Sequence, residues 1–463
     1  MVCKNLPLPP DLNIKFSDMQ LYLIFLLIFI FATPPSYSQK ADITGRLVDL
    51  VTGEPLSRVE VSVNTFPDDD PNNELLPANP TGGQKTQVTF SDDEGYFSLS
   101  GEVPPNPPGR LFFRKEGYME KTVDITFSRT APMACSEHST SSSLSRNPGE
   151  IALKPDDYIW RTGKVFRWQK YDDNPSLMVE EALEAGLNMI SVMDRYFTQG
   201  AADNRRLIKL AEEAGIKVFI IFQTFYNDDA TIDKSNSALD REGNMVKDSW
   251  LSFICPNEEG YKRKRLQDIE DLVALIRPHG ISMDFFRFFV YWEAGSDGNR
   301  PQTCFCHRCL EKFGIQYNIT GSAEYILSAH TDTWTDFKCR TINEFAALIH
   351  GKVKAIDPRI LLNLHMVPWK QDDYEGAIKR IAAQDIVTLS RYFDFLQPMT
   401  YSTMLDESIE WIHEMGADAA GHVKDTYIIP CIQAADAGPE NFSIIMKPPV
   451  SGYSIWPFER YFE

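Results

Sequence analysis

The stretch Ile281 to Cys309, ISMDFFRFFVYWEAGSDGNRPQTCFCHRC, gathers the residue types that do chemistry. An apolar run delivers a carboxylate, Asp284, then Arg287, then the pair Tyr291-Trp292 and a second carboxylate, Glu293. Two carboxyl groups can divide the work of cutting a glycosidic bond when they stand about 5 to 9.5 Å apart: one protonates the leaving oxygen, the other is nucleophile or activates water. Nine residues of extended chain span roughly 30 Å, so this pair meets only if the chain turns sharply, expected after Phe288. Glu293, just before Ala294-Gly295-Ser296-Asp297-Gly298, is the expected acid/base at a loop mouth; the bland alternative is a surface or Arg-paired glutamate. Asp284 sits among Phe285, Phe286 and Phe288, where an unpaired carboxylate is costly. It is either an ion-pair partner of Arg287 or the second catalytic carboxyl.

Cys304-x-Cys306-x2-Cys309 follows at once. Three cysteines this close do not pair readily with one another, and tetrahedral zinc wants four ligands. Cys255 is the expected fourth, with His307 and Cys339 as rivals, and one disulfide plus free thiols as the alternative. With four cysteine ligands there is no open position for water, so the expected zinc is structural and no catalytic cofactor is expected.

The elements that must position these groups come from a chain of 463 residues, long enough for two domains. Apolar content of 43% argues against disorder, and a formal charge of -19 argues against nucleic acid, which needs a basic patch. Lys262-Arg263-Lys264-Arg265 reads as the solvated face of a helix. Such an acidic chain fits a neutral substrate such as a sugar. The apolar run Leu21 to Ala32 is shorter than the roughly 20 residues that span a bilayer. With Lys4 and Lys15 before it and Ser36-Tyr37-Ser38 after it, residues 1–38 read as a secretory signal cleaved near Gln39, the alternative being an N-terminal anchor. Export to the periplasm, cell surface or medium is therefore expected.

From Ala41 to Phe127, short alternating strands are broken by Gly, Pro and Asp turns, which predicts an antiparallel β-sandwich over residues 39–155. The Ser/Thr-rich stretch 128–149, with Cys135, reads as a mobile loop, and Ile151-Ala152-Leu153 as a last strand. After Asp156, strands alternate with helical patterns. Eight units, with strands at Lys164–Trp168, Met189–Met193, Lys217–Phe222, Ile281–Phe286, Ile360–His365, Phe395–Tyr401, Thr426–Ile432 and Gly452–Trp456, predict a (β/α)8 TIM barrel over 156–463. Barrel chemistry sits at the C-terminal strand ends. That rule nominates Arg167, Trp168, Asp194, Arg195, Gln223 and Tyr226 on the first three units, and Gln433 on the seventh. It further nominates Arg287, Trp292, His365, Trp369, Gln397, Tyr401, Asp436, Trp456 and Glu459 as substrate contacts. Aromatic rings beside amides, cations and carboxylates suit a carbohydrate, whose C–H faces stack while its hydroxyls need donors and acceptors.

Three resemblances attach to these residues. ITGRLVD, Glu94-Gly95-Tyr96-Phe97 and Lys115-Glu116-Gly117-Tyr118 resemble carboxypeptidase-regulatory-like domains of exported proteins. That resemblance implies a spacer or binding module, with cell-surface or glycan association as the expected partner role. The strand-4 carboxylate, the cysteine cluster, Phe313 and Trp334-x2-Phe337 resemble family 42 glycoside hydrolases. There the resemblance implies Glu293 as acid/base and zinc on Cys255, Cys304, Cys306 and Cys309. The chain departs from that family at strand 7, where TYIIPCIQAADAG has Asp436 but no Glu, and before Glu293, where Trp292 replaces Asn. FDFLQPMTYS and GYSIWPFE resemble strands 6 and 8 of family 18-related barrels, whose substrate-assisted chemistry needs no protein nucleophile, although the Asp-x-Asp-x-Glu signature is absent. Together these imply an exported glycoside hydrolase-like enzyme that cleaves oligo- or polysaccharide through Glu293, with Asp284, Asp436 or Glu459 as partner. The alternative is a non-catalytic carbohydrate-binding protein on a degenerate barrel.

Overall fold

The computed structural model describes residues 39–65, 87–103, 108–126, 144–146, 149–166, 168–171, 174–193, 201–227, 234–246, 252–293 and 302–462. The expected leader and Cys135, with most of the Ser/Thr-rich stretch, lie outside them, as do Arg167, Asp194 and Arg195. Among the described residues no helix is long and apolar enough to cross a membrane.

The first eight strands are β1 (Gln39–Asp49), β2 (Glu60–Thr65), β3 (Gln87–Phe90), β4 (Tyr96–Val103), β5 (Pro108–Arg114), β6 (Lys121–Thr126), β7 (Leu144–Arg146) and β8 (Glu150–Leu153). They form two four-stranded sheets. Inward residues of both, among them Ile43, Leu47, Val61, Phe97, Leu111, Phe113 and Ile151, build one apolar cluster. One sheet, β3-β2-β5-β6, is antiparallel throughout. The other departs from the expected antiparallel pattern: β1 pairs antiparallel with β4 but parallel with β7 and β8. The physical reason is the long connection after β6, because only a crossover of a dozen or more residues lets a strand return in the same direction. Gly95 makes the turn into β4 at φ +83°, and a Cβ there would lie 2.3 Å from the Leu47 carbonyl oxygen, so the site admits only glycine.

The remaining strands are β9 (Trp160–Val165), β10 (Met189–Met193), β11 (Lys217–Gln223), the short ribbon β12 (Tyr226–Asn227) with β13 (Ser252–Phe253), then β14 (Gly280–Asp284), β15 (Leu361–Met366), β16 (Phe395–Pro398), β17 (Tyr427–Ile428), β18 (Cys431–Gln433) and β19 (Gly452–Trp456). Nine of them form one parallel sheet in the order β17-β16-β15-β14-β11-β10-β9-β19-β18. The strands at its two ends, β17 and β18, are halves of one chain segment interrupted at Pro430, which has no N–H to donate. The ring therefore closes through the chain itself, giving the eight staves of a TIM-like barrel. Strand 1 starts four residues earlier than its apolar run implies. Trp160 begins it because β9 must reach down to pair with Gly452, whose missing Cβ lets the Trp160 backbone approach. The helices Pro175–Glu184 and Ala201–Glu213 end just before left-handed Gly186 and Gly215, as their sequences predict.

Alternation divides each stave. Val165, Ile190, Val192, Ile220, Ile281, Met283, Leu364 and Ile455 join the core formed with the outer helices. The opposite parity points inward, and at the bottom of the barrel it supplies Trp160, Met189, Phe219, Leu361, Phe395, Tyr427 and Ile429. Trp160 and Phe219 meet Phe395 edge to face at 4.9 and 5.6 Å. Leu50, Val51 and Met119 of the N-terminal sheets pack under this plug.

Around it lies a half-buried ion network with Lys154 at its buried centre. Lys154 is 3.4 Å from Asp394 and 3.5 Å from Asp425, Lys121 is 3.1 Å from Asp425, and Lys354 is 3.5 Å from Asp394. Burial would raise the Asp394 carboxyl, but Lys354, Lys154 and Lys121 outweigh it and hold the group below the usual range. A depressed carboxyl contributes stability above its unfolded pKa of about 4, and that contribution is lost as pH falls further. Asp394→Asn should therefore cost about 1 to 3 kcal/mol at pH 7, because Lys354 loses its carboxylate partner and Lys154 keeps only Asp425. In urea titrations the parent should lose stability below pH 4 more steeply than the variant, and equal slopes would refute the network's role.

Candidate active site

Above the aromatic plug the barrel interior turns polar. Thr162, Ser191, Ser282, Asn363 and Ser454, with Cys431, are all buried where apolar branched residues usually fill such barrels. Asn363 spends both amide hydrogens on its neighbours: Nδ2 donates to Ser282 Oγ at 2.8 Å and to Gln397 Oε1 at 3.0 Å. Gln397 is thereby oriented with its Nε2 away from Asn363, and it is the register partner of His365 across β15 and β16.

His365 Nδ1 stands 3.4 Å from Asp284 Oδ1. A ring nitrogen facing a carboxylate keeps its proton, which leaves Nε2 as the acceptor, complementary to the Gln397 amide. Burial first, and then the Lys164 ammonium, push the His365 pKa down, so the ring is neutral. Burial would raise the Asp284 carboxyl, but His365, Lys164 and Arg287 outweigh it and hold the group well below the carboxylate range. Asp284 is therefore ionised. Arg287 is lowered to about 10 by burial, opposed by Asp284 and Glu293, and remains a cation; its guanidinium lies 5.1 Å from the Phe285 ring and 5.3 Å from that of Phe253.

The chain turns sooner than expected. Phe285, the residue after Asp284, has φ +51°, a conformation that is strained for a bulky side chain. Its amide N–H donates to Asp284 Oδ1 at 2.9 Å, while Thr224 N–H holds the Asp284 carbonyl. Phe288 N–H then donates to the Ala382 carbonyl, fixing the segment that ends at Glu293 against the neighbouring loop. Asp284 and Glu293 both lie within electrostatic reach of Arg287 and of Tyr401. The Tyr401 phenol is pushed well above its ordinary value, by burial first and then by Cys431, so it keeps its proton. Tyr401 also lies 4.5 Å from Trp456 and 5.8 Å from Trp292, making an aromatic surface beside the carboxylates.

Of the residues nominated from sequence, Asp284, Arg287, Trp292, Glu293, His365, Gln397, Tyr401 and Trp456 thus gather at one end of the barrel. Asp436, Glu459 and Trp369 are held by other contacts beside this group. Asp436 accepts from the Ser402 hydroxyl at 2.6 Å and the Thr403 hydroxyl at 2.8 Å, bracing the turn that follows Tyr401. Glu459 accepts from Phe166 N–H at 3.4 Å, and the Trp369 ring meets Tyr374 at 5.5 Å. Sequence reading missed Lys164, whose side chain is fully buried in β9. A single lysine at the inward parity of an apolar strand was the available signal, as were Ser282 before Asp284 and Asn363 before His365 at a spacing of two.

The four cysteines form one buried cluster with ligand atoms within 4.8 Å of one another. Cys255 Sγ is 3.5 Å from Cys306 Sγ and 3.4 Å from Cys309 Sγ, too far for disulfides and close to the roughly 3.8 Å between sulfurs in a tetrahedron of 2.3 Å metal bonds. Asn257 Nδ2 and Leu239 N–H donate to Cys309 and Cys304 sulfurs, as suits thiolates. The rivals stand apart: Cys339 Sγ faces the Lys379 carbonyl, and His307 is exposed beside Glu311. The donor set fits a structural zinc. It would tie the segment after β13 to the one after β14, next to the loop that carries Arg287 and Glu293.

No protein-family model and no curated protein matches the chain. Among solved structures it is similar to the PgaB (BpsB) glycoside hydrolase domain from Bordetella bronchiseptica, with 12% identity and a TM-score of 0.49 over 65% of this chain and 94% of that one. It is similar to the catalytic domain of β-amylase from Paenibacillus polymyxa, with 11% identity and a TM-score of 0.44 over 65% of this chain and 93% of that one. It is also similar to Gan42B, a GH42 β-galactosidase from G. stearothermophilus, with 10% identity and a TM-score of 0.49 over 65% of this chain; it spans 51% of that protein. Likeness at this level carries no residue's role across.

The His365 environment can be checked without a substrate. Nitrogen-15 NMR of the imidazoles, assigned with His365→Gln, should show a ring protonated on Nδ1 that takes up its second proton only below the usual histidine range. Lys164→Met should raise its pKa, because a nearby cation is lost; an unchanged titration would exclude that coupling.

Proposed function

We propose that the barrel is a glycoside hydrolase acting on an oligo- or polysaccharide, with Glu293 as general acid/base and Asp284 as its partner carboxylate. The observation that carries this reading is that both carboxylates lie within electrostatic reach of Arg287 and of Tyr401, whose ring packs on Trp456 and Trp292. Asp284, held as a carboxylate, is fitted to attack the anomeric carbon or to take a proton from water, and unfitted to be the acid. Glu293 stands half-buried at the mouth, where it can protonate the leaving oxygen as the C–O bond breaks and recover a proton from the incoming water. Tyr401, Trp292 and Trp456 offer rings to the sugar faces. Strand 7 carries Cys431 and Gln433 and no glutamate, and Asp436 and Glu459 accept hydrogen bonds from neighbours, which supports drawing both carboxyls from the strand-4 unit.

Around this centre we assign supporting roles. Zinc on Cys255, Cys304, Cys306 and Cys309 braces the mouth. The N-terminal sheets are a carboxypeptidase-regulatory-like sandwich that seals the barrel bottom, and residues 1–38 direct export, with glycan or cell-surface association left to the sandwich.

The first test is hydrolysis of a broad polysaccharide and aryl glycoside panel by the parent, Glu293→Gln and Asp284→Asn. Turnover should fall at least about a hundredfold in each variant. Activity that survives Glu293→Gln would remove it from the acid role, and glycan binding through the aromatics without any turnover would favour the non-catalytic alternative. Metal analysis should find about one zinc per chain, lost in Cys255→Ser together with a lower melting temperature. A metal-free parent of equal stability would exclude it.

A further inference from the structure

The polar atoms left over at the barrel mouth are unbalanced. Among the described residues, Lys164 Nζ, Arg287 Nε and Nη1, Trp292 Nε1 and Trp456 Nε1 have no hydrogen-bond partner; the Asn363 Oδ1 acceptor is unpartnered too, but donors outnumber it and both cations are among them. Lys164 is 0% exposed and Arg287 4%, so water does not readily serve them. Buried donors without partners are disfavoured, and buried cations more so. The site is thus organised for a ligand that brings acceptors. A sugar hydroxyl both donates and accepts, so a neutral sugar would satisfy some of these groups while adding donors of its own.

Charge points the same way. Lys164 and Arg287 share Asp284, since both act on its carboxyl. Glu293 must carry a proton to serve as general acid, and His365 is neutral. In that state two buried cations face one carboxylate, and the surplus positive charge suits one anionic oxygen pair. Arg is the side chain best shaped for a carboxylate because its planar fork meets two oxygens at once. The chain's acidic surface opposes an anion at long range, but at physiological salt such fields fade beyond about 8 Å and leave the local pair to decide.

We propose that the mouth takes a sugar bearing a carboxylate, a uronic acid unit of the glycan, with Arg287 and Lys164 as its anion contacts. This rests on the glycoside hydrolase reading and specifies its substrate. The test uses oligomers of galacturonate, glucuronate and mannuronate beside their carboxyl-reduced counterparts of the same linkage. Binding is measured by calorimetry and cleavage by product analysis.

At least one uronate series should bind about tenfold or more tighter than its reduced partner, the scale of a charge-assisted hydrogen bond. Arg287→Gln should abolish that preference, and Arg287→Lys should retain part of it. Near-UV circular dichroism establishes that the variants are folded, and Lys164→Gln supplies a second, independent loss of cation. Equal or better binding of every reduced oligomer overturns the inference, as does a preference that survives both Arg287→Gln and Lys164→Gln. Cleavage of neutral glycans alone overturns the inference and leaves the hydrolase reading intact. If no glycan of either kind is bound or cut, both fall.

Discussion

A carboxylate buried inside a barrel is the constraint around which this protein is built. Asp284 is 5% exposed and cannot stay ionised there without neighbours that repay its lost hydration. Three staves and one loop supply them. His365 comes from β15, oriented by the Gln397 and Asn363 amides. Lys164 comes from β9, Arg287 from the loop after β14, and the protonated Tyr401 follows β16. Moving one of these staves by a single residue would flip its inward set outward, because side chains alternate along a strand. The barrel's register is therefore also the geometry of the charge cluster.

That cluster divides the barrel along its axis. Below it, rings and aliphatic chains fill the interior as a dry plug, and the N-terminal sheets close the bottom with Leu50, Val51 and Met119 and a lattice of lysines and aspartates. Above it, aromatic edges meet donors and carboxylates. The stable end is apolar and sealed, and the reactive end is polar, which matches the general assignment of stability and chemistry to opposite ends of such barrels. The cysteine cluster stands beside that polar end. It lies outside the ring, but it joins the two segments between which the loop carrying Arg287 and Glu293 runs.

Much of this was legible in residue order. Eight apolar runs separated by helical spacing predict the barrel, Gly186 and Gly215 mark helix ends, and Ile151 to Leu153 returns to the first sheet as expected. Other features were not local. The parallel pairing of β7 and β8 with β1 depends on a long return path. The early start of β9 depends on how closely Gly452 lets a neighbouring strand approach. Asp436, attractive as the one carboxylate near strand 7, is taken up by two hydroxyls thirty-odd residues earlier in the chain, a pairing that no spacing rule discloses.

The sequence by itself determined the kinds of groups available and their order along the chain. A carboxylate closes strand 4, a glutamate follows an aromatic pair, and three cysteines stand together, because covalent connectivity and the two-residue period of a strand are properties of the chain alone. Only the tertiary structure decided which of these groups share a site. Ring closure brings strands 1, 4, 5 and 6 around one axis, so Lys164, which looked like an ordinary strand residue, becomes a neighbour of residues 120 and 201 positions away. The electrostatic interactions that keep Asp284 ionised and His365 neutral depend on distance through space and on exclusion of water, and neither exists until the barrel has closed.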